Sequence, residues 1–430
     1  MEEMQRVLLA GVDTGVYEDF AHSMEELASL AEACNMQVVG AVTQKAEAIH
    51  KALYIGSGKV NEIKNLAEST NAEAVIFEDS LSPSQLRNLT EELDLNVMDR
   101  TNLILDIFAT RAKSREAKLQ VETARLKYLL PRLTGMYEAL SRQGGTSGSK
   151  SSRGVGETKL ELDRRKIEHR ISELSKELKE ISRERETQRK KRQGSDIPQV
   201  ALAGYTNAGK STLLNAMVEA YIGEEEKSVL EKDMLFATLE TNVRRIDDGS
   251  KRPFYLADTV GFIHKLPHGL VQAFRSTLEE IKNADLILQV VDFSDPHHKD
   301  HIRVTEETLR ELGAGDIPIL YIYNKADLCM ENIPVIKRGC IYMSAKSRVG
   351  LRELVEMITD SLYADNEEAE FFIPYDKGGI LSYINEHGRV LDRDYEESGV
   401  RLVVNCRRHD KMRFADYLTE NGIALQDKMM

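Results

Sequence analysis

The sequence predicts a multidomain α/β protein, and three observations support that prediction. Strand-like and helix-like runs alternate in residues 1–100 and again in 194–365, which is the pattern of parallel-sheet domains. Between these regions, 101–193 carries apolar repeats typical of packed helices. The chain has 430 residues, of which 41% are hydrophobic and 30% charged, so it can build several cores and is not disordered.

The first predicted domain, residues 1–100, is a small parallel-sheet α/β domain. Strands are expected at 6–12, 37–42, 74–77 and 96–98, and helices at 23–34, 59–69 and 82–93. Ser82 and Pro83 suit the N-cap and the first turn of the third helix. Segment 56–59 (GSGK) resembles a phosphate loop, but Leu53 stands at the position of its first glycine, so we expect a turn into a helix.

Residues 101–193 predict an antiparallel helical hairpin. One long helix is expected from Thr101 to about Leu140, with leucines every seven residues and a kink or break at Pro131. A glycine-rich tip loop is expected at about 144–156, and a second helix from near Glu157. The apolar residues of this second helix follow the 4, 3, 4, 3 spacing of a coiled-coil seam. They are Ile167, Ile171, Leu174, Leu178 and Ile181.

The charge distribution separates this hairpin from the rest of the chain. The formal net charge is -13, yet 111–192 contains 23 Lys and Arg residues against 12 Asp and Glu. A basic segment in an acidic protein indicates a local contact with a polyanion. Charge alone leaves a solvated helical face equally open as an interpretation.

Residues 204–211 (GYTNAGKS) match the P-loop pattern between a predicted strand and a predicted helix. Glycines allow backbone N–H groups to surround phosphate oxygens, and a helix N-terminus adds positive potential. Lys210 is expected to reach the β- and γ-phosphates as a catalytic residue, and Ser211 to bind Mg²⁺. The predicted phosphate-binding residues are Gly204, Tyr205, Thr206, Asn207, Ala208, Gly209, Lys210, Ser211 and Thr212.

Three later motifs complete a GTPase prediction for 194–365, with GTP or GDP and Mg²⁺ as cofactors. Asp258 is expected to hold Mg²⁺, and the catalytic Gly261 N–H to face the γ-phosphate. Asp327 is expected to accept from guanine, and segment 344–346 to cover the base. The predicted residues are Asp258, Thr259, Val260, Gly261, Asn324, Lys325, Asp327, Ser344, Ala345 and Lys346. Their order and spacing agree with one another, which is stronger than any one motif.

A mobile loop is expected between the P-loop and Asp258. Phe236, Ala237 and Thr238 form its predicted nucleotide contact, with Thr238 as a catalytic residue that binds Mg²⁺ when GTP is present. Thr241 is a rival for that role. Phe262 stands where related enzymes carry a water-orienting glutamine, so we expect slow intrinsic hydrolysis that a partner stimulates.

Other features restrict the remaining possibilities. Residues 366–430 predict a small α+β domain. His297, His298 and His301 are interpreted as a solvated helix start and not a metal site. Four widely spaced cysteines fit reduced thiols. The acidic start and the lack of a long apolar run predict a cytoplasmic protein without a membrane span, and we expect a monomer.

Several segments resemble the HflX family of the TrmE-Era-Obg-HflX GTPases. They include 54–60 (YIGSGKV), 99–109 (DRTNLILDIFA), 128–133 (YLLPRL) and 153–165 (RGVGETKLELDRR), together with the phenylalanine after DTVG. The resemblance covers residues 1 to about 365 and is weak beyond. It departs from the family pattern at a longer tip loop, at Val155 and Lys159, and at 240–243 (ETNV).

The resemblance implies GTP hydrolysis, binding to the large ribosomal subunit and separation of stalled ribosomes, with the hairpin approaching ribosomal RNA. The basic hairpin suits phosphate contacts on irregular RNA. The expected RNA-binding residues are Arg142, Lys150, Arg153, Lys159, Arg164 and Arg165. Two alternatives stay open, namely an RNA-binding module switched by nucleotide and a GTPase that acts on another RNA or protein.

Overall fold

The structure is a computed structural model that describes residues 4–15, 19–143, 150–193, 197–221, 242–249, 252–265, 275–364 and 366–419. Within these ranges, the side chains of 134–143, 150–160, 185–186, 188–193, 275–277 and 386–387 are not described. The chain forms two compact units. The first comprises Met1–Gly194 with the described part of Val260–Glu279, and the second holds the remaining described residues. No helix in the described ranges is long and apolar enough to cross a membrane.

The N-terminal region is the predicted parallel-sheet domain. Its strands are β1 (Gln5–Asp13), β2 (Met36–Lys45), β3 (Ala74–Phe77) and β4 (Asn96–Asp99), in the order β2-β1-β3-β4. The helices between them are α1 (Phe20–Ala33), α2 (Ser57–Thr70) and α3 (Pro83–Leu93). Ser82 caps α3 in a reciprocal pair with Gln85, as its sequence position predicts. Gly56 is the N-cap of α2, so the GSGK segment is a turn into a helix.

The region after β4 contains two helices where one was predicted. They are α4 (Arg100–Arg111) and α5 (Arg115–Gln143). Ala112 is extended, and the Ser114 hydroxyl accepts from the Ala117 N–H at 3.1 Å, which starts a new helix there. A kink or a break was expected at Pro131; the break was wrong, because this proline lies inside α5, and the kink stays a prediction.

The second hairpin helix, α6 (Lys150–Gln193), begins before the predicted Glu157. Residues 150–156 are therefore helical and do not belong to a tip loop, while 144–149 lie outside the described residues. Glycine lowers helix stability by about 1 kcal/mol relative to alanine but keeps its backbone N–H. Val155 likewise keeps the N–H that a proline there would remove. The helix therefore has every backbone donor it needs to include Gly154 and Gly156.

Helices α5 and α6 pair antiparallel, as expected for a hairpin. Arg115 bonds to Glu177, and Arg170 bonds to Glu122, both at 2.8 Å, so the paired positions run in opposite directions. Leu174 of the predicted seam is fully buried.

The second unit contains a seven-stranded sheet. Its strands are β5 (Gln199–Gly204), β6 (Asn242–Ile246), β7 (Phe254–Asp258), β8 (Leu286–Asp292), β9 (Ile319–Asn324), β10 (Val335–Lys337) and β11 (Cys340–Tyr342). They follow the order β10-β11-β9-β8-β5-β7-β6, with only β6 and β10 antiparallel to their neighbours among these strands. The helices of this unit are α7 (Lys210–Tyr221), α9 (His298–Glu311) and α10 (Leu351–Leu362), whereas α8 (Arg275–Lys282) begins in residues of the first unit and ends in residues of the second. The parallel strands therefore bring their carboxyl ends to one edge.

The C-terminal region forms a small α+β fold. Strands β12 (Asn366–Pro374), β13 (Arg389–Glu396) and β14 (Gly399–Arg407) make an antiparallel sheet in the order β12-β14-β13. Helices α11 (Gly378–His387) and α12 (Arg408–Arg413) accompany them. Alternate residues of β12 and β14, such as Phe371 and Leu402, form a separate buried core.

Candidate nucleotide-binding site

The loop between β5 and α7 depends on two glycines. Gly204 has φ +147°, and a Cβ there would lie 2.2 Å from the carbonyl oxygen of Val290. Gly209 has φ +93°, and a Cβ there would lie 2.2 Å from Nδ2 of Asn324. Any side chain at either position would clash or strain the backbone. The glycines predicted from the P-loop pattern are thus required by the local geometry.

Lys210 is buried at the first position of α7. Its Nζ donates to the carbonyl oxygens of Gly204 and Tyr205, at 2.9 and 2.7 Å. Burial lowers the pKa of Lys210 to about 8, and the nearby carboxylate of Asp258 opposes that shift. A phosphate oxygen would give this ammonium the opposite charge that two neutral carbonyls do not provide.

Ser211 and Asp258 meet across the site. The Ser211 hydroxyl donates to Oδ2 of Asp258 at 2.9 Å, and Asp258 is fully buried at the end of β7. The adjacent Thr259 hydroxyl donates to the carbonyl of Leu202, which fixes the chain beside β5. A hydroxyl and a carboxylate side by side are oxygen ligands of the kind Mg²⁺ takes in phosphate sites, where water and phosphate complete the shell. The described residues contain no cluster of three or more metal-ligating side chains.

Asn324 connects the phosphate loop with the predicted base-binding segments. Its Nδ2 donates to the carbonyl of Ala208, and its Oδ1 accepts from the N–H of Ala345, both at 2.9 Å. Ser344 and Ala345 are buried, whereas Asp327 and Lys346 are exposed. The structure therefore brings the phosphate loop, β9 and segment 344–346 together, and it leaves the Asp327 carboxylate accessible.

Asp292 is a site residue that the sequence analysis missed. Its Oδ2 accepts from Nζ of Lys325 at 2.7 Å, and its Oδ1 accepts from the backbone and hydroxyl of Ser294. Lys325 has φ +59°, so this ion pair holds a residue with an uncommon backbone conformation. The signal in the sequence was an aspartate at the end of a buried strand, next to the strand that ends in Asn324.

The remaining predicted residues lie either outside the described ranges or in the first unit. Phe236, Ala237, Thr238 and the rival Thr241 lie outside the described residues. Val260, Gly261 and Phe262 belong to the first unit, where all three are buried. Phe262 is 1% exposed, so its side chain packs in the protein interior.

Two of the predicted RNA-binding side chains are described. Arg164 lies 3.5 Å from Glu161 and 3.8 Å from Glu168, and Arg165 donates to Glu161 at 3.1 Å. Both arginines are at least partly exposed on α6. The side chains of Arg142, Lys150, Arg153 and Lys159 lie outside the described set.

Three protein-family profiles match consecutive parts of the chain. Residues 21–109 match the N-terminal region of GTP-binding GTPases, and 111–192 match the middle region of the same proteins. Residues 199–325 match a family described as 50S ribosome-binding GTPases.

Full-length relatives extend this similarity. The chain is 45% identical over 422 residues to the GTPase HflX of Caldanaerobacter subterraneus, which covers 96% of this chain and 95% of the relative. It is 38% identical over 409 residues to the GTPase HflX of Escherichia coli, with 92% and 94% covered. Among solved structures, a GTP-binding protein of Sulfolobus solfataricus in complex with GDP is 26% identical. That match covers 84% of this chain and 99% of the other, with a TM-score of 0.42.

Proposed function

The chain belongs to the HflX family of GTPases and so binds and hydrolyses GTP, and we propose that it carries out this reaction on the large ribosomal subunit. The description of the matching GTPase profile as 50S ribosome-binding supports this partner. The finer proposal is that GTP-dependent binding separates the subunits of stalled ribosomes.

The basic hairpin is the observation that favours RNA as the direct partner. Among the contacts described, Arg164 and Arg165 form ion pairs only with carboxylates of their own helix, one turn away. Exposed pairs of this kind contribute about 0–1 kcal/mol, so RNA phosphates can replace the carboxylates at little cost. We propose that both arginines, with Arg142, Lys150, Arg153 and Lys159, contact ribosomal RNA.

We propose roles for the nucleotide residues from the sequence motifs in which they stand. Lys210 binds the β- and γ-phosphates, and Ser211 and Asp258 would hold Mg²⁺, which would neutralise charge on the phosphates. The Gly261 N–H faces the γ-phosphate, and Asp327 recognises guanine. Thr238 would be a further Mg²⁺ ligand when GTP is bound.

A second candidate is an RNA-binding module in which GTP only switches the affinity and turnover is incidental. Phe262 favours it, because a buried phenyl ring cannot hydrogen-bond an attacking water. The two functions differ in whether ribosomes accelerate hydrolysis.

The test measures GTP turnover and pelleting with purified large ribosomal subunits. We expect large subunits to stimulate turnover and to pellet the chain with a non-hydrolysable GTP analogue more than with GDP. Pelleting without stimulation would favour the switched module. Neither pelleting nor stimulation would contradict ribosome binding altogether.

The salt dependence of pelleting tests whether the RNA contact lies at Arg164 and Arg165. We expect the double change Arg164→Gln and Arg165→Gln to weaken pelleting and to reduce the log–log salt slope by roughly 1.4–1.8, because each lost phosphate contact removes counterion release. The matched control changes Arg352 and Arg408, which are 85% and 73% exposed in other regions, to Gln. An equal effect of both double changes would place the RNA contact elsewhere.

A further inference from the structure

The start of α9, with the three histidines at 297, 298 and 301, was predicted to be solvated, and this is wrong for His301. His297 and His298 are half-buried, but His301 is only 8% exposed. A buried imidazole on a helix otherwise rich in charge calls for an account of what it contacts.

His301 stacks on the phosphate loop. Its ring lies face to face with the ring of Tyr205, at 3.9 Å between centroids and 9° between planes. Tyr205 is 7% exposed and is the second residue of the loop, directly after Gly204. The contact thus joins α9 to the start of the phosphate loop.

The backbone of Tyr205 is part of the phosphate-binding machinery. Its carbonyl accepts from Nζ of Lys210 at 2.7 Å. A displacement of Tyr205 would therefore move the group that orients the Lys210 ammonium, and it would also disturb the loop N–H groups that follow. A side chain that holds Tyr205 in place holds this geometry in place.

His301 itself is held by the start of α9. Oδ1 of Asp295 accepts from the His297 N–H at 2.8 Å, and Oδ2 of Asp295 lies 3.9 Å from Nδ1 of His301. From the sheet, the Gln289 side chain of β8 donates to the backbone carbonyl of Ile302 in α9 at 3.2 Å. The imidazole is therefore mounted on a helix that is fixed both at its start and against the sheet.

We propose that His301 is a positioning residue for nucleotide binding, which acts through the ring of Tyr205 on the phosphate loop. The role concerns the GTP site of the family and does not depend on the ribosome proposal. It requires a flat aromatic ring at position 301 and does not require a titrating group.

The test compares two variants of the full chain with fluorescently labelled GDP and with GTP turnover. His301→Leu fills the space without a ring, and we expect GDP to bind roughly three- to tenfold more weakly, from the usual strength of an aromatic pair. The KM for GTP should rise by a similar factor with kcat within about twofold, since the loop supports ground and transition states alike. His301→Phe restores the ring, and its GDP affinity should return to within about twofold of the unchanged protein.

A cycle with Tyr205→Leu isolates the contact. Tyr205→Leu should weaken GDP binding as His301→Leu does, and the two changes together should be no worse than the stronger single change. If His301→Leu fails to fold, Tyr205→Leu still tests the ring contact. The matched control is His298→Leu, which removes an imidazole of the same helix that packs on Phe293, and it should leave GDP affinity unchanged.

Three results would overturn the proposal. They are unchanged GDP affinity in His301→Leu, binding by His301→Phe as weak as that of His301→Leu, and multiplicative losses in the double variant.

Discussion

Asp99 joins the helical hairpin to the N-terminal sheet, and replacing it should loosen that junction. The carboxylate is fully buried at the end of β4. It accepts from the N–H groups of Leu81 and Asn102 at 2.9 and 2.8 Å, from the Tyr128 hydroxyl at 2.7 Å and from Arg132 at 3.1 Å. Burial, together with the Asp99 carboxylate, raises the pKa of Tyr128, so the phenol stays a donor.

The magnitude follows from the loss of charge in a buried site. Asp99→Asn keeps the volume, but its NH₂ group cannot accept, so two of the four donors lose their partner and Arg132 loses its counter-charge. Removing one partner of a buried ion pair typically costs about 3–5 kcal/mol. Asp163→Asn is the matched control, because that carboxylate is 43% exposed and its pair with Lys166 should contribute at most about 1 kcal/mol.

Native-state amide exchange of β4 and α4 is the suitable assay, since it reports the local free energy of opening in a chain with several domains. The opening free energy of these amides should fall by about 3–5 kcal/mol in Asp99→Asn and by less than about 1 kcal/mol in the control. A decrease below about 1 kcal/mol in Asp99→Asn would show that the carboxylate does not anchor the hairpin to the sheet.

Two further predictions concern buried polar groups. Lys265 donates to both Glu78 and Asp79, and Glu78 is fully buried. Lys265→Met should therefore lower the free energy of unfolding of the first unit by about 3–5 kcal/mol, measured by urea unfolding. Adding Glu78→Gln to this variant should recover part of that loss. Additive losses would contradict the pairing. Burial, with a smaller contribution from Asp106, raises the pKa of Cys34 to about 12, so at pH 8 it is a protonated thiol and its thiolate fraction grows only as the pH approaches that value. Iodoacetamide labelling followed by mass spectrometry should thus modify the exposed Cys329 well before Cys34, and the reverse order would contradict the burial.

The sequence predicted the elements whose signals are local. The parallel strands of the four-stranded and seven-stranded sheets follow from apolar runs, and the capped start of α3 follows from Ser82 and Pro83. The break between α4 and α5 was missed, because a single serine cap at Ser114 outweighs a continuous apolar pattern. At Pro131, where a kink or a break was expected, the helix is not broken.

In the candidate site, too, the residues with local signals were predicted and the long-range contacts were not. Gly204 and Gly209 are recognisable because the backbone conformation at each position requires a glycine in any sequence with that loop. The contacts of Asp292 with Lys325 and of His301 with Tyr205 join elements 33 and 96 positions apart, and no spacing rule connects such positions before the fold is known. A motif therefore indicates which backbone surrounds the phosphates, whereas the side chains that hold that backbone in place are found only once the strands have brought them together. For this reason the test of His301 bears on the site more directly than another substitution within the motif would.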